Sequence, residues 1–341
     1  MHPDQHSRFE VGSASFWTNE YMEVNPPELV SFWSVCAKDS TQIDQDTVLN
    51  LPEGAYLLGD PTLGSKVFLR RCYSKLLDIG MKTLDKDVKS YPQLLILGNS
   101  GVGKTFFGFV LLRFLARSGA TFVYESASMG DRILFAPGLV VRGSDQDFAN
   151  ILRTPTTYYI SDGGKPSHNP CMTVWLTTPQ YSVSCLFGRV NALYMPTWSK
   201  EEILKCHESL YSSNIPIKKV EECYQRWGGI PRYVLHLAQS DSHQRLLQEA
   251  IGSISLNSLI GACVKFMQDD YYELHGLLYY RVNECYGKES FVFASRYVQQ
   301  EVYKHLYRHD KDDLLWFLGK SHVGALATLH SLLVSKVTSG G

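Results

Sequence analysis

The sequence predicts an α/β fold of three layers around a parallel sheet, followed by a helical lid and a small, mostly helical C-terminal domain. Three observations predict it. Short apolar runs alternate with helical segments between about residues 93 and 195, a glycine loop joins one such run directly to a helix, and helical patterning takes over after Pro196. Apolar runs without alternation mark strands buried on both faces, as in parallel sheets flanked by helices. The boundaries read as an N-terminal arm over 1–60, an α/β core over 61–196, a lid over 197–240 and a C-terminal domain, helical or winged-helix-like, over 241–341.

The first forty residues mix aromatics with Asn25-Pro26-Pro27 and read as irregular, and Leu51–Gly54 carries turn chemistry. From Ser65 to Leu84 the apolar residues Val67, Phe68, Tyr73, Leu76, Leu77 and Ile79 fall near helical spacing. Gln93–Leu97 reads as a buried strand, then a glycine loop, then a helix over Lys104–Arg117 that Ser118-Gly119 closes. Thr121–Tyr124 is a second strand, and Asp131–Phe135 with Leu139–Arg142 form an inserted hairpin. Tyr158–Ser161, Thr173–Thr177 and Ala192–Met195 complete the sheet. Beyond it, Ser199 and Glu202 make a capping box, which starts a helix bearing Ile203, Leu204 and Leu210. Lys218–Trp227 is a further helix ended by Gly228-Gly229, and Pro231 starts the next. A strand pair is expected at Leu277–Val282 and Ser290–Ala294.

Composition narrows the function classes. The 341 residues are 44% hydrophobic and 20% charged with net charge −1, so whole-chain charge points to neither nucleic acid nor membrane. No apolar run reaches the length that crosses a bilayer, and the N-terminus lacks a signal-peptide layout, so an intracellular protein is expected. The 8 cysteines contain no Cys-x-x-Cys pair, which suits buried free thiols and argues against a zinc module. His305 and His309 stand four apart without a third ligand and read as solvated. Arg70, Arg71 and Lys75, like Lys218 and Lys219, read as solvated basic faces.

The glycine loop carries chemistry. Gly98, Asn99, Ser100, Gly101, Val102, Gly103, Lys104 and Thr105 satisfy G-x-x-x-x-G-K-[ST] between an apolar strand and a helix, the context that gives the pattern meaning. Backbone N–H groups of such a loop, with the helix N-terminus, cradle phosphates. Lys104 is therefore expected at the β- and γ-phosphates, and the Thr105 hydroxyl on magnesium. Together these features define a P-loop NTPase site, for ATP with Mg2+.

The site needs an acid at another strand end, and Asp162, closing Tyr158–Asp162, is the candidate second magnesium residue. Many ATPases place a glutamate next, but here Gly163 follows. Glu125, at the end of the neighbouring strand, is a candidate general base, with a solvated glutamate as the alternative. Thr177 or Thr178, at the end of a strand inserted between the P-loop and acid strands as in additional-strand (ASCE-like) ATPases, is a candidate γ-phosphate sensor. Arg232, at a helix start behind Gly228-Gly229, is a candidate second sensor, ahead of Arg226 and Arg189.

Several longer runs resemble the Crinkler effectors of oomycetes and fungi and the related retrotransposon hot spot proteins of trypanosomes. They are Phe68–Tyr73, Gly98–Thr105, Tyr158–Asp162, Tyr194–Trp198 with its capping-box helix, Gly228–Leu235 and Phe293–Val298, spread over roughly residues 50–330. The resemblance implies an ATPase module that this family joins to a restriction-endonuclease-like domain, with action on nucleic acid, often in a nucleus. Gly324–His330 resembles the start of that domain but lacks the expected acid, so nuclease activity is not expected here. The N-terminal translocation header of many Crinklers is not seen, and delivery to a host rests on the resemblance alone. ATP hydrolysis coupled to a conformational change, serving double-stranded DNA or another nucleic-acid partner, or a nuclease domain or partner chain, is the expected function. A nucleotide-gated scaffold with little hydrolysis is the alternative.

Overall fold

The computed structural model describes residues 7–11, 14–38, 45–86, 93–178, 191–267, 274 and 276–335. By compactness the chain divides into two units. One takes Met1–Ile96, Lys104–Thr177 and Asn191–Leu193, the other Leu97–Gly103, Thr178–Val190 and Tyr194–Gly341.

The first unit opens on an antiparallel hairpin of β1 (Arg8–Val11) and β2 (Ala14–Trp17), then β3 (Glu23–Val24) and helix α1 (Pro27–Lys38). β4 (Thr47–Asn50) pairs antiparallel with β5 (Lys66–Leu69), which leads into helix α2 (Arg71–Lys86). Next come β6 (Gln93–Leu97), helix α3 (Lys104–Arg117), β7 (Phe122–Ser126), β8 (Arg132–Ala136), β9 (Leu139–Gly143), β10 (Tyr158–Asp162), β11 (Met172–Thr177) and β12 (Asn191–Tyr194). These build an 8-stranded sheet in the order β12-β6-β11-β10-β7-β8-β9-β3. β10 pairs in parallel with β7 and β11, while β8, β9 and β3 extend the sheet antiparallel. The α/β expectation is met, and β11 does lie between the strand before the glycine loop and the strand ending in Asp162.

Register sorts the side chains between two faces, because strand neighbours alternate and paired residues share a side. Leu176 is paired with Asp162 and packs on α3, so Asp162 shares the face that α3 covers. α1 covers the same face further along. Its Trp33 packs on Phe122 and Phe135 at 5.3 and 5.2 Å and donates its indole N–H to the Ala136 carbonyl at 3.1 Å. Burying each such aromatic contributes about 1.5–3 kcal/mol. On the opposite face Val11, Phe16, Phe148, Ile151, Leu152 and Tyr159 form one cluster, covered by the β1–β2 hairpin and a 3-10 turn.

Three expectations are corrected here. The described residues among the first forty are not irregular: α1 buries Leu29, Phe32, Trp33 and Cys36, and β3 pairs with β9 as an edge strand of the main sheet. Tryptophan and phenylalanine in irregular-looking sequence found a core rather than a surface. The helix expected from Ser65 begins only at Arg71, because Lys66–Leu69 pairs with β4. Nor is Arg70 solvated; it is 1% exposed.

The second unit carries Leu97–Gly103 and most of the helical region. Helix α4 (Lys200–Cys206) starts with the expected capping box, Ser199 accepting from the Glu202 amide and Glu202 from the Ser199 amide. A π-helical turn (His207–Tyr211), α5 (Ile217–Trp227) and a second π-helical turn (Arg232–His236) follow. Then come α6 (Asp241–Ser253), α7 (Leu256–Met267), the antiparallel pair β13 (Leu278–Val282) and β14 (Lys288–Phe293), α8 (Arg296–His309), α9 (Lys311–Leu318) and α10 (Gly324–Val334). Trp227 ties this unit together. It stacks on Tyr233 at 3.9 Å and donates to the Gln244 side chain at 2.7 Å, and its carbonyl accepts from the Tyr279 hydroxyl at 2.8 Å. Trp227 thus joins described residues on both sides of position 240. Among the described residues no helix is long and apolar enough to cross a membrane.

Candidate nucleotide site

In the first unit, α3 begins at Lys104 and β10 ends at Asp162. The Thr105 hydroxyl donates to the Asp162 carboxylate, and the Tyr124 hydroxyl lies 3.4 Å from it. Asp162 is 8% exposed, and burial raises its pKa against the opposing pull of the Thr105 hydrogen bond and the Lys104 charge. Burial together with the Asp162 charge pushes the Tyr124 hydroxyl up in turn. A buried carboxylate beside a hydroxyl is an all-oxygen donor pair, the chemistry a hard divalent cation selects. Lys104, Thr105 and Asp162, expected at the site, are thus brought together.

Glu125 is not brought to this cluster. It is paired in register with Ser161, so it shares the face opposite Asp162. There its carboxylate meets the Arg132 guanidinium at 2.6 Å and accepts from the Ser161 hydroxyl at 2.9 Å. Arg132 also donates to the Tyr159 hydroxyl at 3.0 Å and the Asp145 carbonyl at 3.1 Å. Neither a solvated glutamate nor a base beside Asp162 describes this residue; it anchors a buried arginine. Thr177, in the strand, also faces away from Asp162 and is buried, whereas Thr178 follows the strand end.

In the second unit the loop Gly98–Gly103 is gripped along its length. The Asn99 carboxamide accepts from the Tyr280 amide at 3.2 Å and donates to the Leu278 carbonyl at 3.3 Å. Arg232 donates to the Ser100 hydroxyl at 3.1 Å. The Trp198 indole N–H donates to the Val102 carbonyl at 2.8 Å, and the Met195 amide donates to the Leu97 carbonyl at 2.7 Å. Gly101 has φ +78°, and a Cβ there would stand 2.6 Å from the Arg232 Cβ, so only glycine fits. The turn before Arg232 is equally tight, since a Cβ on Gly229 would lie 2.1 Å from the Trp198 carbonyl oxygen.

Of the candidate sensors, Arg232 is therefore brought to the loop. Arg226 is engaged elsewhere, donating to the Gln244 carbonyl at 3.2 Å, and Arg189 lies outside the described residues. His305 and His309 have ring centroids 4.5 Å apart, and among the described residues no group of three or more ligating side chains could hold a metal. The sequence reading missed Trp198 and the outward role of Asn99. Trp198 closes the Tyr194–Trp198 run, but nothing in that run says where its indole points.

The fold defines an α/β protein with a glycine loop at a strand–helix junction and, at the end of the next strand but one in the sheet, a buried acid. Two curated proteins of Phytophthora infestans are similar to the chain. Crinkler effector protein 15 is 24% identical over 288 residues, covering 78% of the chain. Crinkler effector protein 16 is 23% identical over 283 residues, also covering 78% of it. The chain spans 44% of the length of each of these relatives. No protein-family model matches it. Among solved structures, the Thermotoga maritima RuvB Holliday junction branch migration motor is 15% identical with a TM-score of 0.32, covering 78% of this chain and 80% of that one.

Proposed function

We propose that the chain binds a nucleoside triphosphate, most readily ATP, with magnesium at Gly98–Thr105 and hydrolyses it. The observation that carries this reading is the Thr105–Asp162 hydrogen bond at the end of a G-x-x-x-x-G-K-T loop. Thr105 and Asp162 would hold the metal, which when bound neutralises phosphate charge. Lys104 adds its own positive charge at the β- and γ-phosphates. Thr178 orients the γ-phosphate or the attacking water, and Arg232, beside Ser100, reports the γ-phosphate to the helical region. By the Crinkler resemblance, such a module would serve double-stranded DNA or another nucleic acid, or a nuclease domain or partner chain, in a nucleus.

A second reading, from a different class, is a nucleotide-gated scaffold that turns over slowly. Gly163 follows Asp162, and Glu125 is held by Arg132, so neither position offers a carboxylate to orient water. Steady-state turnover of wild type and Lys104→Ala, each with and without duplex DNA, separates the two. The enzyme reading expects wild-type turnover above about 1 per minute, raised by DNA, and a drop of about a hundredfold or more in the variant. Tight Mg·ATP binding without turnover in either condition selects the scaffold.

A further inference from the structure

We propose that Trp198 is a positioning residue of the phosphate cradle: by holding the Val102 carbonyl, its indole N–H turns the Gly103 amide toward the bound phosphates. This inference deepens the nucleotide reading and rests on it. A trans peptide is planar, so the carbonyl of one residue and the N–H of the next point in opposite directions. The Trp198 indole takes the Val102 carbonyl at 2.8 Å on one side of the loop. The Gly103 N–H, in the same peptide plane, must then point to the other side. Val102 is 0% and Trp198 6% exposed, so water does not satisfy either group in place of this bond.

The clamp matters because Gly103, at φ +105°, has no Cβ to resist rotation of that peptide. Trp198 is itself fixed from behind. Its backbone N–H donates to the Gly229 carbonyl at 2.9 Å, in the turn that delivers Arg232 to Ser100. The indole therefore links the loop's amide orientation to the turn carrying the arginine.

The test is binding of inorganic pyrophosphate with magnesium to the full chain, by calorimetry, with the Gly103 amide followed by 15N-glycine NMR. Trp198→Phe keeps the ring and removes the N–H. We expect its pyrophosphate affinity to fall about fivefold to tenfold, the worth of one net hydrogen bond. We also expect the downfield shift of the Gly103 amide on pyrophosphate binding to shrink. A merely structural role would lower the melting temperature without moving that shift. Wild-type affinity and an unchanged Gly103 shift in the variant overturn the proposal. Should the variant fold poorly, the wild-type 15N-indole signal of Trp198 decides: it moves on pyrophosphate binding if the clamp is coupled to the cradle, and an unmoved signal overturns the coupling. A wild-type chain that binds neither pyrophosphate nor Mg·ATP removes the nucleotide reading itself, and the proposal with it.

Discussion

Glu125 shows what a single pairing register decides. Its position at a strand end suits a general base, yet register with Ser161 turns it to the face opposite Asp162, where Arg132 takes it. Arg132 is 6% exposed, so removing Glu125 leaves a buried charge with only the exposed Asp145 carboxylate, at 3.3 Å, to pair with it. Glu125→Ala is expected to cost about 3 kcal/mol of stability, the range for breaking a buried pair. Turnover per folded molecule should change less than about threefold, whereas loss of a general base costs about a hundredfold or more. Denaturant unfolding and turnover measured on the same preparation check both halves. Gly101 gives the converse case, in which backbone conformation and packing coincide. Gly101→Ala places a methyl group in the left-handed region, at a cost of about 1–2 kcal/mol, and drives it into Arg232. The expected outcome is a lower melting temperature and at least a tenfold loss of Mg·ATP affinity. Equal affinity in titration calorimetry would show that the loop and Arg232 can move apart freely.

At the scale of elements, β13 and β14 form a sheet of two strands, a size with little independent stability. Asn99 supports it by bonding the Leu278 carbonyl and the Tyr280 amide, and so occupies the strand edge much as an added strand would. Asn99→Ala removes both bonds. At about 1 kcal/mol net each, exchange of the Tyr280 amide should accelerate by roughly 10- to 30-fold. Hydrogen exchange resolved at Tyr280 measures it, and unchanged exchange would mean the hairpin is held by its packing alone. The elements themselves were largely legible. The capping box at Ser199, the hairpin around Gly138 and the strands at Gln93, Tyr158 and Met172 announce themselves through local chemistry. What the sequence hid depends on distant partners: Lys66–Leu69 is a strand only because Thr47–Asn50 lies beside it, and α1 is held by Phe122 and Phe135. The site was legible to the same extent. The loop and Asp162 follow from pattern and period, but the direction of Glu125 or Trp198 is a tertiary fact.

Across the whole molecule, neither compact unit is a continuous stretch of chain. The backbone leaves the first unit after Ile96, returns at Lys104, leaves again after Thr177, returns at Asn191 and leaves finally after Leu193. Independent domains are usually separated by linkers that few contacts cross, so that each can fold alone. Here the loop Leu97–Gly103 belongs with the helical unit, while the strand before it and the helix after it belong with the sheet. Unfolding the helical unit would remove the partners of Asn99, Ser100 and Val102 while leaving both ends of that loop tethered to the sheet. Such interleaving favours one cooperative transition. Calorimetry is therefore expected to show a single endotherm, with calorimetric and van't Hoff enthalpies agreeing. Mg·ATP at 100 times its dissociation constant should stabilise the folded state by about 2.7 kcal/mol. In Lys104→Ala that gain should vanish at the same nucleotide concentration, because the lysine charge that opposes the phosphates is gone. Two resolved endotherms, only one of them moved by nucleotide, would mean that the units unfold separately despite the interleaved chain. The unit carrying the shifted endotherm would then be the one that holds the phosphates.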